Sequence, residues 1–215
     1  AVHGALGSLR ALRRTAGDLD AIFAQVNNQL VEDLPEEHFV TAFLGVLDTA
    51  RHWVGYHSAG QGPLLHFQAA TGVCRWLPPT TFPLGFMKFP QVDAPRQIEL
   101  APGDILGLIT DGVFECENPA GQMFGTEGVE RVLRTSHEGS MSDLLARLLQ
   151  ALHVFAGGRP QADDITVVLL ARRGETAGRT TVQRYFPRSL DSLDHIFRFV
   201  GDFIAARSLD ADLHM

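Results

Sequence analysis

Three carboxylates, Asp111, Asp163 and Asp164, stand where they could hold a cation between them. Asp111 closes the stretch Leu100-Ala101-Pro102-Gly103-Asp104-Ile105-Leu106-Gly107-Leu108-Ile109-Thr110-Asp111-Gly112-Val113. There a Pro-Gly-Asp turn launches an apolar run too short for a helix, which reads as a buried strand stopping on a carboxylate and a glycine. Gln161-Ala162-Asp163-Asp164 opens a second β-branched run, Ile165-Thr166-Val167-Val168-Leu169-Leu170. If the two strands are neighbours the acids converge, and a hard, oxygen-preferring ion such as Mg²⁺ or Mn²⁺ relieves their repulsion. An Asp beside a Gly at a strand end is also an ordinary turn former that bonds its own backbone. The doubled pattern is what turns the reading towards a metal site.

Other chemistries are poorly supplied. His57 and His66 alternate with apolar residues, and the nine histidines show neither HxH nor HExxH spacing. They are expected at a core edge or the surface, not on zinc. Ser58 and Ser140 lack a G-x-S-x-G turn, which leaves acyl transfer without a nucleophile. Gly60-Gln61-Gly62-Pro63 has no Lys to reach a phosphate as a Walker loop does. Asp104, inside the Pro-Gly-Asp turn, reads as structural.

The elements that must position these residues follow from periodicity. Residues 1 to 17 are rich in Ala, Leu and Arg, and the chain reads as beginning inside a helix. Asp18 can cap a second helix with Leu19, Ile22, Phe23, Val26 and Leu30 at helical intervals, ending at Asp33-Leu34-Pro35. From Phe39 the period changes to that of strands. Phe39 to Asp48 and Trp53 to His57 form a hairpin around Thr49 to Arg51; Leu64 to Gln68, Val73 to Leu77 and Arg96 to Leu100 follow. Such short spacing favours antiparallel sheets. Gly125 to Arg134 and Ser142 to Phe155 are helical, the second with Leu144, Leu145, Leu148, Leu149, Leu152 and Phe155 on one stripe before Gly157-Gly158. Helices, strands, helices and a strand make an α+β layered domain ending near Ala171. Residues 172–179 read as a linker. Beyond it, Thr180 to Phe186 reads as a strand and Ser189 as the cap of an apolar-faced helix with Leu190, Leu193, Ile196, Phe197, Val200, Phe203 and Ile204. That face must be covered by the main domain, by a second copy or by residues outside this chain, so it allows a homodimer.

With 215 residues, 45% hydrophobic and 20% charged, the chain can bury one good core. Its net charge of −7 argues against non-specific nucleic-acid binding, which needs a basic face. No apolar stretch approaches the roughly 20 residues that span a bilayer, and no signal-peptide pattern opens the chain. Cys74 and Cys116 form no CxxC pair, so reduced thiols in the cytoplasm are expected, without nucleic-acid or membrane partners.

Several motifs, in order, resemble the bacterial PPM-type (type 2C) serine/threonine phosphatases of the stage II sporulation E class. They are Phe39-Val40-Thr41-Ala42, Ala59-Gly60-Gln61-Gly62-Pro63-Leu64-Leu65, Pro83-Leu84-Gly85, Pro102-Gly103-Asp104, Thr110-Asp111-Gly112-Val113-Phe114-Glu115 and Asp163-Asp164-Ile165-Thr166. The resemblance covers roughly residues 1–171. It implies an αββα sandwich of two packed antiparallel sheets flanked by helices. It further implies two Mn²⁺ or Mg²⁺ ions that activate water against a phosphoserine or phosphothreonine. Asp111 matches the family's Thr/Ser-Asp-Gly ligand, Asp163 the ligand of its final Asp-Asp/Asn motif, and Asp164 that residue's neighbour. The implied substrate is a phosphorylated small regulatory protein of the anti-sigma-factor antagonist type.

Two positions depart from the pattern. The family's first ligand, in an Asp-x-x-Gly-His-Gly motif just ahead of the first helix, is not found in this sequence, so the phosphatase domain is expected to lack its N-terminal part. Gln61 stands where the family usually has His, and an amide cannot titrate near neutrality as an imidazole does. The missing ligand and the apolar tail helix support an alternative, a catalytically incomplete phosphatase-like scaffold that binds a partner or dimerises. The tail, Phe186-Pro187-Arg188-Ser189-Leu190-Asp191-Ser192-Leu193 and its helix, resembles the opening of an anti-sigma-factor serine kinase, so residues 180–215 read as an incomplete kinase-like segment.

Overall fold

The computed structural model describes residues 19–35, 37–89 and 91–173, with the backbone of 183–185. In chain order its elements are α1 (Leu19–Asp33), β1 (Ala42–Asp48), β2 (Trp53–Ala59), β3 (Leu64–Gln68), β4 (Val73–Leu77), β5 (Arg96–Glu99), β6 (Ile105–Ile109), α2 (Asp111–Phe114), α3 (Gly125–Ser136), α4 (Met141–Ala156), β7 (Val167–Ala171) and β8 (Gln183–Tyr185). They fall into two compact units. The first joins the described residues up to Gln61 with Pro79–Glu99, and the second joins Gly62–Pro78 with the described residues from Leu100 onward. Each unit has its own antiparallel sheet, with α1 described in the first and α2, α3 and α4 in the second, as the α+β reading expects.

The first unit has the sheet order β1-β2-β5. The β1–β2 hairpin turns because Asp48 Oδ1 accepts the amides of Ala50 and Arg51 at 2.9 and 2.8 Å, the local bonding that makes Asp a turn residue. Along α1, Phe23, Val26 and Leu30 recur at helical spacing and are buried with Ala59 and Leu84. Full burial of such a side chain is worth roughly 1.5–3 kcal/mol, so this stripe is what holds the helix in place. Asn27 lies on the same face, fully buried, and would be costly there without partners. Its Oδ1 accepts the Gly85 amide and its Nδ2 donates to the Met87 carbonyl, both at 3.0 Å, which fastens the 84–88 loop to the helix. A glycine is required at 85: φ is +82°, and a Cβ would strike Leu34 Cδ1 at 2.7 Å.

The second unit has the order β4-β3-β6-β7-β8. Alternation places Leu65 and Phe67, Ile105 and Ile109, and Val167 and Leu169 in one core with Val129 and Leu133 of α3 and Leu144, Leu148 and Leu152 of α4. Ser140 caps α4 by accepting the Asp143 amide at 3.1 Å, and Gly157 ends it in the left-handed region at φ 56°. Asp104 is 4% exposed and accepts from the amides of Ala69 and Ala101 and from His66 Nε2, so the Pro-Gly-Asp turn is structural. Arg172, read as the first linker residue, is tied to this turn. Its amide reaches the Asp104 carbonyl, its carbonyl takes the Gly103 amide, and Nη1 donates to the Leu100 carbonyl at 2.8 Å.

The strand expected over 180–186 is present as β8, which pairs with β7 through Leu169↔Gln183 and Val167↔Tyr185 and so extends this sheet. The helix expected over 1–17, the Asp18 cap, most of the 172–179 linker and the tail helix from Ser189 lie outside the described residues. No described helix is long and apolar enough to cross a membrane.

Candidate metal centre

Strands β6 and β7 are sheet neighbours, antiparallel, with Ile109 opposite Val167. The end of β6 therefore meets the start of β7. This brings Asp111, just past one strand, to the same sheet edge as Asp163 and Asp164, just ahead of the other. Asp111 is not on the strand itself, because the chain turns at Thr110 and Asp111 becomes the first residue of α2. The turn is made by backbone bonds, Val113 N–H to Thr110 C=O at 3.1 Å and Glu115 N–H to Asp111 C=O at 2.8 Å.

The two segments touch at Gly112. A Cβ there would lie 2.4 Å from the Asp164 carbonyl oxygen and 3.1 Å from that of Asp163, a space only a glycine leaves open. Thr110 completes the junction. Its amide donates to the Thr166 carbonyl at 3.0 Å, while its hydroxyl accepts the Thr166 amide at 2.9 Å and lies 3.1 Å from the Asp164 carbonyl.

All three carboxylates are exposed at this rim. Asp111 Oδ1 accepts the Gly112 amide at 3.1 Å, Asp163 Oδ1 accepts the Asp164 amide at 2.7 Å, and Gln161 Nε2 donates to the Asp163 carbonyl at 2.7 Å. The junction is thus a meeting of backbones with the acids around it. Among the described residues no three His, Cys, Asp or Glu side chains close on a single ion position. The donors on offer are carboxylate oxygens alone, with no thiolate or imidazole among the three. Such a set suits Mg²⁺ or Mn²⁺, which retain waters at positions the protein leaves open.

Gln61, half-buried in the first unit, accepts the Ser58 hydroxyl on its backbone carbonyl. Two acid–histidine pairs with buried imidazoles escape a reading of local spacing. His57, 3% exposed, meets Asp20 Oδ1 through Nε2 at 2.7 Å and stacks on Phe23 with centroids 4.6 Å apart. His66, 8% exposed, meets Asp104 at 3.2 Å. Both histidines are buried with carboxylates rather than placed at the surface. Their place inside apolar strands was the available signal; the identity of each partner was not.

Comparison with known proteins places the chain, with its two antiparallel sheets, in a family. The family model described as Stage II sporulation protein E (SpoIIE) matches residues 3–173, and the chain belongs to that family. Protein IcfG of Synechocystis sp. is 27% identical over 143 residues, which is 62% of this chain and 21% of that protein. The chain thus spans about a fifth of that relative's length. Among solved structures, the PP2C phosphatase domain of SpoIIE from Bacillus subtilis, with a fragment of its regulatory domain, aligns with a TM-score of 0.61 and 18% identity. The alignment covers 76% of this chain and 48% of that one. The SiaA-PP2C domain of Pseudomonas aeruginosa aligns with a TM-score of 0.59 and 23% identity, over 73% and 60% of the two chains. The fold is that of PP2C phosphatase domains.

Proposed function

We propose that this chain is the phosphatase domain of a metal-dependent protein serine/threonine phosphatase that acts on a phosphorylated regulatory protein of the anti-sigma-factor antagonist type. The observation that carries the reading is the convergence of the Asp111-Gly112 turn and the Asp163-Asp164 segment on one sheet edge in a SpoIIE-family chain. Asp111, Asp163 and Asp164 are the residues that would hold Mn²⁺ or Mg²⁺. When bound, such ions lower the pKa of a ligated water and neutralise phosphoryl oxygens, so hydrolysis needs no covalent enzyme intermediate. The protein's part is to fix the carboxylates at the rim and to leave that rim open to a phosphorylated side chain on another protein.

A cytoplasmic setting belongs to this reading, consistent with Cys74 and Cys116 both being free thiols. So does the kinase-like origin of residues 180–215, which would place a phosphatase and an opposing module in one polypeptide. A second reading, a phosphatase-like scaffold that binds a partner or dimerises, is favoured by Gln61 in place of a titratable imidazole. Phosphate release from a phosphoserine regulatory protein, followed with and without Mn²⁺, separates the two. The enzyme predicts release that depends on Mn²⁺ and is lost in Asp111→Asn; release that persists in chelator, or no release with Mn²⁺ bound, overturns it.

A further inference from the structure

We propose that Thr110 is a positioning residue for the metal-holding acids, its hydroxyl standing in for a backbone acceptor that the strand-to-helix turn takes away. This inference rests on the metal reading above.

Thr110 and Thr166 continue the β6–β7 register beyond Ile109↔Val167, and Thr110 N–H donates to Thr166 C=O at 3.0 Å. In a regular antiparallel pair of this kind the return bond would run from Thr166 N–H to Thr110 C=O. That carbonyl is already engaged, because it accepts Val113 N–H to start α2. The Thr166 amide goes instead to Thr110 Oγ1 at 2.9 Å. The hydroxyl proton is then directed to the Asp164 carbonyl at 3.1 Å, nearer than the Thr166 carbonyl at 3.4 Å.

Position makes this unusual. Thr110 is the N-cap residue of α2, where a threonine ordinarily turns its hydroxyl onto an amide of the first helical turn. Here it makes no such cap bond. The side chain is committed across the strands, to both ends of the segment 164–166. With Gly112 pressed against Asp164 from the other side, the backbone carrying Asp163 and Asp164 is held against the turn carrying Asp111. Partners of this kind, which orient ligands without touching the ion, typically change metal affinity 10–100-fold when removed.

The test compares Thr110→Val, which keeps the shape and removes the hydroxyl, with Thr110→Ser, which keeps the hydroxyl. Mn²⁺ is titrated calorimetrically into each chain, and hydrogen exchange of the Thr166 amide is followed in the wild type. Thr110→Val is expected to weaken Mn²⁺ binding about tenfold or more, Thr110→Ser to stay within a few-fold of wild type, and the Thr166 amide to exchange slowly. A folded Thr110→Val that binds Mn²⁺ like wild type overturns the proposal. So does Thr110→Ser impaired as badly as Thr110→Val, which would make the methyl contacts responsible. If Thr110→Val gives no cooperative melt, the Thr166 amide decides, and exchange as fast as at Asp163 overturns the proposal. A wild type that binds no Mn²⁺ overturns the metal reading instead, leaving the bond itself to be judged on the same amide.

Discussion

Gly112 lies so close to Asp164 that a Cβ on the glycine would sit 2.4 Å from the aspartate's carbonyl oxygen. Gly112→Ala therefore has to push the 163–166 segment away. Such overpacking costs roughly 1–3 kcal/mol, to be read from urea denaturation. Because the displaced segment bears two of the three acids, Mn²⁺-dependent phosphate release is expected to fall at least tenfold, more than the stability loss alone would cause at a temperature where the variant is folded.

The carboxylates themselves should behave in the opposite way. Asp111, Asp163 and Asp164 are exposed, so neutralising each to Asn is expected to change stability by no more than about 0.5 kcal/mol. Asp111→Asn and Asp163→Asn should nonetheless bring phosphate release down to the level of chelator-treated wild type. Thermal melts and an activity assay on the same preparations check both halves of the prediction.

Asn27→Ala tests the first unit's anchor. The substitution leaves the Gly85 amide and the Met87 carbonyl without the partner they now share. A buried polar group left unsatisfied costs about 1–3 kcal/mol, and urea midpoints should drop accordingly. Asn27→Asp, which keeps an acceptor for Gly85 but loses the donor to Met87, should also destabilise the chain.

Cys74 gives a pH signature. Burial, reinforced by the nearby Glu130 carboxylate and opposed by Arg134, pushes its thiol up to about 11. A thiol whose pKa is raised by folding stabilises the native state fully below its unfolded value of 9.0 and loses that contribution as pH climbs towards 11. Wild type should therefore lose stability more steeply than Cys74→Ala between about pH 9 and 11. At pH 8 the native thiol should react with an alkylating reagent much more slowly than in the unfolded chain.

Much of this architecture is legible in the sequence, for identifiable reasons. Strands β3 and β4 fall on Leu64–Gln68 and Val73–Leu77, as expected, because two short apolar-rich runs flank the turn at Ala70-Thr71-Gly72. The Ser140 cap and Gly157 bracket α4 within a residue or so of the expected bounds. Type and a place beside apolar strands single out the three acids, and the β6–β7 ladder brings the segments that bear them together. What spacing could not carry is long-range pairing. His57 meets Asp20 across 37 residues, and His66 meets Asp104 across 38. Asn27 looks like an interruption of an apolar stripe until Gly85 and Met87 are seen against it. Thr110 looks like a helix cap or a strand residue, and only the neighbouring strand shows what its hydroxyl does.

The most direct test of the central claim, that folding brings Asp111 and the Asp163-Asp164 segment to one cation site, is the anomalous difference density of crystals soaked in Mn²⁺. A peak is expected with carboxylate oxygens of Asp111 and of Asp163 or Asp164 at about 2.0–2.6 Å, absent from Asp111→Asn crystals. A Mn²⁺ peak bound elsewhere, or none at this sheet edge while phosphate release continues, would contradict it.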